Sequence, residues 1–205
     1  MVALALDTAT TRAAVGACID GRWAVRTADA ALAAQSALVL ADQVLAEVGA
    51  DPAAIGWIAV GCGPGSFTAL RIGIATARGL AAATGAAVIG VSTLDALCEG
   101  AGAGAVAVVD ARRGEVFASG TGLDGEEVLA PSIIAGRLAP GTLAVGDGAL
   151  RHRAVLEAAG VEVPPDDDPR HAPQPAALLA LAERAPLPPV PRYLREPDAV
   201  PAEAR

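Results

Sequence analysis

Residues 61–79, GCGPGSFTALRIGIATARG, set the tightest limit on how this chain can fold. A loop of glycine and proline, Gly61-Cys62-Gly63-Pro64-Gly65, feeds a helix expected over residues 67–84. Inside that helix Ala69, Gly73 and Ala77 recur at i, i+4 and i+8. A glycine inside a helix costs about 1 kcal/mol relative to alanine. Its use there implies that another backbone comes close. The rest of the chain is equally sparing of side-chain volume. Apolar residues make up 53%, but the aromatics are limited to Trp23, Trp57, Phe67, Phe117 and Tyr193. A core of Ala, Val, Leu and Ile with short inter-element distances follows.

A glycine loop before a helix can also cradle phosphate, because free N–H groups and a partial positive charge meet at a helix N-terminus. Ser66 or Thr68 could cap that terminus. A P-loop would need a lysine after its last glycine, and all 15 basic residues here are arginine. The same absence excludes a Schiff-base lysine and a lysine general base. A net charge of −8 argues against unaided nucleic-acid binding, which needs a dense basic face.

The three cysteines, Cys18, Cys62 and Cys98, are odd in number and far apart, as expected of reduced thiols in a cytoplasmic protein. No signal peptide is expected, since Asp7 interrupts the short apolar run at the N-terminus. Prolines and glycines within 52–70 argue against a membrane span there.

Periodicity predicts strands over 2–6, 14–19 and 22–27, with Asp20-Gly21 as a hairpin turn. A helix follows over 35–48. Leu38, Ala41, Leu45 and Val48 share one stripe, and Leu40 and Val44 lie on another face. A helix apolar on two sides suits burial or a partner. A strand over 57–60, the 67–84 helix, a strand near Val88 and a helix over 92–99 complete a first lobe. After the glycine-rich break at 100–104 the pattern restarts. Strands are expected over 105–109, 115–119, 128–134 and 143–145, then helices over 149–159 and 176–184. The expected organisation is an N-terminal lobe over 1–102, a smaller lobe over 103–185 and a proline-rich extended tail over 186–205. Two lobes that each open with strands ending in an aspartate suggest a duplicated α/β architecture.

Beyond the glycine loop, two stretches could carry chemistry. Asp7-Thr8-Ala9-Thr10 places a carboxylate and hydroxyls at a strand end, where a metal-bound water and the phosphates of ATP could sit. An ordinary capped turn would read the same. Asp110-Ala111-Arg112-Arg113-Gly114-Glu115 could orient a ligand or form a surface ion-pair network. His152 and His171 are the only histidines and stand apart, so no metal-ligand spacing or Ser-His-Asp triad is suggested.

Several of these stretches, in order along the chain, resemble the TsaB (YeaZ) family. Leu4-Ala5-Leu6-Asp7-Thr8-Ala9-Thr10 is similar to its L-A-L-D-T-S-T. Residues 63–73, GPGSFTALRIG, are similar to G-P-G-S-F-T-G-L-R-I-G, with Ala69 in place of a glycine. Val91-Ser92-Thr93-Leu94 resembles V-S-S-L, and residues 110–117, DARRGEVF, resemble D-A-R-R-x-E-V-Y. Gly146-Asp147-Gly148 and Pro191-Arg192-Tyr193-Leu194-Arg195 also have counterparts. Gln35-Ser36 departs from a common His-Ser.

The resemblance implies a two-lobed α/β fold of the actin/sugar-kinase/Hsp70-like (ASKHA) class. It implies a non-catalytic subunit in the synthesis of threonylcarbamoyladenosine at position 37 of tRNA. The partner TsaD would hold the metal through histidines and transfer the group, and the ATPase TsaE would join them. No cofactor of its own is expected, with ATP or ADP possible at an interface. A homodimer is expected when the chain is alone, and tRNA contact only through the complex.

The expected partner surface is Leu40, Val44, Phe67, Ala69, Leu70, Gly73, Thr76 and Ala77, in a four-helix arrangement. A bulky residue at Gly73 should then abolish the complex and spare the monomer. The expected nucleotide cleft is Asp7, Thr8, Thr10, Asp110, Arg112 and Arg113. Two alternatives stay open: an ATP-using enzyme of the same fold, and a peptidase acting on TsaD.

Overall fold

The computed structural model describes residues 1–195, apart from the side chains of 30–36. Gln35 and Ser36 therefore lie outside the described side chains. The first lobe is built on a five-stranded sheet ordered β3-β2-β1-β4-β5. β1 (Val2–Asp7), β2 (Arg12–Ile19) and β3 (Arg22–Asp29) form an antiparallel meander. Asp20 and Gly21 turn the hairpin with φ of 50° and 77°, a pairing that matches strand twist. β4 (Ile55–Gly61) joins parallel to β1, and β5 (Ala87–Val91) parallel to β4.

Side chains alternate across this sheet. Val2, Leu4 and Leu6 point to the face covered by α1 (Ala30–Val48) and α2 (Phe67–Thr84). Ala3 and Ala5 point to the other face, where α7 (Pro175–Arg184) buries Leu178, Leu179 and Leu181. Thus α7 does not complete the second lobe, as the 103–185 division had it. It returns to cover a face of the first sheet rich in alanine.

α3 (Thr93–Ala101) leads into a four-stranded sheet ordered β8-β7-β6-β9. β6 (Val106–Arg112), β7 (Glu115–Gly120) and β8 (Glu127–Leu129) are antiparallel neighbours, and β9 (Ala144–Val145) runs parallel to β6. This path repeats β3-β2-β1-β4 with the same senses of pairing. The two lobes share a topology, although their sequences scarcely match.

Two expected elements differ. The chain leaves β8 at Leu129 and starts α4 (Pro131–Arg137), with proline in the first helical turn, where its missing N–H is harmless. The strand expected over 128–134 is therefore mostly helix. The helix expected over 149–159 is two, α5 (Asp147–Arg151) and α6 (Arg153–Ala158), separated at His152. Beyond α7 the chain runs extended along the first lobe, and Leu187 exchanges two backbone hydrogen bonds with Gly90, of 2.8 and 2.9 Å.

Candidate functional site

The residues singled out in the sequence fall in two regions: the helices α1 and α2, and the cleft between the lobes with the turn behind it.

On α1, Ala37, Leu40, Ala41, Val44, Leu45 and Val48 are all buried and form one continuous stripe. Leu40 and Val44 were expected on a partner-facing side, but they pack into the core of the first sheet. Among the described side chains of α1, the large apolar ones that are exposed are Leu38, at 58%, and Val39, at 53%. On α2, Leu70, Gly73 and Ala77 also face inward. A Cβ at Gly73 would run into the Thr8 hydroxyl, so the close backbone approach that this glycine permits is internal. Ala69 is half-buried and gives its carbonyl to Thr8 Oγ1 at 2.6 Å. Thr76 is half-buried, and Phe67 is half-exposed.

A second small-residue row, Ala75, Gly79 and Ala83, points to solvent. A Cβ at Gly79 would meet nothing. The i, i+4, i+8 spacing is common to both rows and does not by itself choose between them.

The cleft is a cavity of about 710 Å³. Its walls come from the β1–β2 turn, the start of α2, the β6–β7 hairpin and Asp147. Thr10, Asp110, Arg112 and Arg113 line it. Asp7 and Thr8 sit behind it, with 0% and 1% of their surface exposed.

Both Asp7 oxygens are engaged. The Ala9 N–H donates to Oδ1 and the Thr93 hydroxyl to Oδ2, each at 2.7 Å. Gly61 makes room for this carboxylate, since a Cβ there would overlap it. Burial pushes the Asp7 pKa up to about 6, against the lowering effect of these two donors. Thr8 and Thr10 give their hydroxyl protons to backbone carbonyls of Ala69 and Arg12. The D-T-A-T stretch thus knits the turn to α2.

Asp110 is mostly buried at the end of β6 and pairs with Arg112 at 3.3 Å and Arg151 at 3.7 Å. Arg113 and Gly114 turn the hairpin with φ of 57° and 78°, and Arg112 also lies in the left-handed region at 63°. Asp147 was not among the expected site residues, yet it joins the lobes. Its Oδ1 accepts from the Asp110 N–H at 3.0 Å and its Oδ2 from the Thr11 N–H at 2.9 Å. Burial raises its pKa. The sequence signals were the acid between two glycines at a helix start and the family counterpart of Gly146-Asp147-Gly148. His171 lies beneath it, buried, with Nδ1 accepting from the Gly146 N–H at 3.2 Å.

The raised Asp7 pKa fixes a pH dependence. Between about pH 3.8 and 6 the folded state holds this proton more tightly than the unfolded chain does. Stability therefore falls as pH rises through that window, by about 3 kcal/mol from this group. Asp7→Asn keeps the acceptor for Ala9 and carries no charge. Urea unfolding at pH 4.5, 5.5 and 7 should show the variant gaining on the wild type as pH rises. A constant difference would mean that Asp7 is not buried as described.

Comparison with known proteins places this geometry. Residues 30–135, about half of the chain, match the family model described as TsaD: tRNA N6-adenosine threonylcarbamoyltransferase. An uncharacterised protein of Mycobacterium tuberculosis is 38% identical over 77% of this chain and 72% of its own length. The tRNA threonylcarbamoyladenosine biosynthesis protein TsaB of Escherichia coli is 40% identical over 56% of this chain and 52% of its own. The solved structure of YeaZ from Pseudomonas aeruginosa aligns with a TM-score of 0.74 and 29% identity, covering 94% of this chain and 99% of that one. The ethanolamine utilization protein EutJ from Carboxydothermus hydrogenoformans, at 13% identity and a TM-score of 0.50, shares the fold alone. The fold is the two-lobed α/β one of the ASKHA class, and the chain belongs to the TsaB/YeaZ family.

Proposed function

We propose that this chain is a non-catalytic docking subunit of a tRNA N6-threonylcarbamoyladenosine complex, binding the transferase TsaD through the outer face of α1 and α2. One observation carries this reading: two helices packed against each other each leave an exposed apolar or small-residue surface, Leu38 and Val39 on α1 and the row Ala75, Gly79 and Ala83 on α2. An open small-residue row lets a partner helix approach closely, and the exposed aliphatic side chains give it apolar surface to cover. A pair of helices from the partner would complete a four-helix arrangement.

Features of the cleft agree with a supporting role. Asp7, Thr8 and Thr10 are committed to internal hydrogen bonds, which weighs against metal-assisted ATP turnover there. The segment that matches the transferase model contains no histidine. Burial pushes the Cys62 and Cys98 thiols up to about 11, far from a nucleophilic thiolate, which disfavours a peptidase. No helix among the described residues is long and apolar enough to cross a membrane. In this reading the chain works in the cytoplasm, TsaE joins the pair, tRNA is met through the complex and any ATP or ADP is held between subunits. Alone, the same face supports a homodimer.

The test is light scattering after size exclusion, on the chain alone and mixed with TsaD from the same organism. A one-to-one complex is expected, replacing any homodimer. Leu38→Glu with Val39→Glu should weaken it at least 100-fold without lowering the melting temperature. No complex with the wild type, with or without ATP, would overturn the reading.

A further inference from the structure

The segment after α7 does more than trail along the surface. Its first half lies on the first lobe. Leu187 pairs with Gly90 on β5, the Pro189 carbonyl accepts from Arg78 at 2.8 Å, and the Arg192 N–H donates to the Cys62 carbonyl at 2.8 Å. Tyr193 stacks on Phe67 with ring centroids 5.3 Å apart, and Arg71 lies over the same Phe67 ring at 3.8 Å while donating to the Tyr193 hydroxyl.

Its side chains then reach the second lobe. Arg192 donates to Glu126 at 2.8 Å, Leu194 packs against the apolar cluster that includes Val109, Ala111 and Phe117, and Arg195 donates to the Ala111 carbonyl and pairs with Glu115. Glu126 holds two groups through one oxygen, Arg192 and the Ser92 hydroxyl, and its other oxygen is buried without a partner. Removing Arg192 would strand a mostly buried carboxylate. On the far side of the cleft the lobes meet through Thr11 to Asp147 and through Arg12 to the Asp166 carbonyl.

We propose that residues 187–195 are a strap that latches the two lobes at one angle and thereby controls docking on α2. The physical link is α2 itself. Its first turn lines the cleft at Phe67 and Thr68, and the strap grips the same helix at Phe67, Arg71 and Arg78. A change in lobe angle must move the strap, and the strap must move α2 or let go of it. Cleft occupancy and docking are then linked, and each favours the other if both prefer the latched state. The docking half of this inference rests on the function proposed above; the latching half does not.

The test is amide hydrogen exchange by NMR on the whole chain. The Thr11 N–H reports cleft closure, because its acceptor, Asp147, is on the other lobe. Arg192→Ala with Arg195→Ala should speed exchange at Thr11 at least tenfold, with the amides of Ala5 and Ala59 in the central strands unchanged. Arg192→Ala, Arg195→Ala and Glu126→Gln together remove the stranded carboxylate but not the loss of the latch, and should exchange as fast. Unchanged Thr11 exchange, equal acceleration everywhere, or recovery of protection in the triple variant would each overturn the latch. For docking, the double variant should bind TsaD at least tenfold more weakly. Full affinity would overturn the coupling, whereas a wild type that fails to bind TsaD would sink the docking surface and leave the exchange result standing.

Discussion

Gly79→Leu is expected to abolish binding to TsaD while leaving the isolated chain at least as stable as the wild type. Gly79 is exposed in the outward row of α2, and nothing stands within 4 Å of the position its Cβ would take. Replacing a mid-helix glycine by leucine there raises helix propensity, by up to about 0.8 kcal/mol. In a helix–helix seam the same side chain would hold the partner backbone away and forfeit the close packing that small residues allow. Loss of two or more orders of magnitude in affinity is expected, read by calorimetric titration, alongside an unchanged or higher melting temperature. Full affinity would remove this row from the interface. A lower melting temperature would mean that the residue is packed.

Gly73→Leu should do the opposite, and this reverses what the sequence suggested. The glycine lies inside the first lobe, under Thr8 and next to Leu6. A Cβ would displace the Thr8 hydroxyl, which donates to the Ala69 carbonyl, and the rest of a leucine has no space. Overpacking costs about 1–3 kcal/mol, and a buried polar group left unpaired costs about 1–3 kcal/mol more. A loss near 4 kcal/mol is a large share of the stability of a domain of this size. The chain should unfold at much lower urea or be recovered as aggregate. Gly73→Ala with Thr8→Ala should cost less than the sum of the single changes, because the added methyl takes the place of the lost hydroxyl. A normal melting temperature for Gly73→Leu would return this residue to the partner surface.

The two glycines show how far the sequence could be read. Both sit on one helix, six residues apart, among alanines at four-residue spacing. Their roles differ by the rotation of α2 on the sheet. That rotation is set by Leu70, Ile74 and Ala77, which seek burial more strongly than the residues around Gly79. The same rule applies on α1. Ala37, Leu40, Ala41, Val44, Leu45 and Val48 form one stripe at helical spacing, so the apparent second face was part of the first. Leu38 lies outside that stripe and is exposed.

The cleft divides in a similar way. Arg112, Arg113, Thr10 and Asp110 line it, from turns at strand ends. Asp7 does not, because Gly61 lets its carboxylate turn inward to Thr93, 86 residues along the chain. No local pattern carries a pairing of that length. Asp147 became legible as a link between lobes only once Thr11 and Asp110 had been brought to its two oxygens.

What the sequence determined by itself was the alternation of strands and helices, the hairpin at Asp20-Gly21, the glycine loop that starts α2, and the family. These rest on periodicity, on glycine's freedom in backbone angle and on residue identities at fixed spacing, all of which are local. Tertiary structure alone decided which face of each helix is spent on the core, where α7 returns, and that the segment after it bridges two lobes. Those outcomes depend on which apolar faces remain uncovered once the sheets have formed, and that is a property of the whole chain.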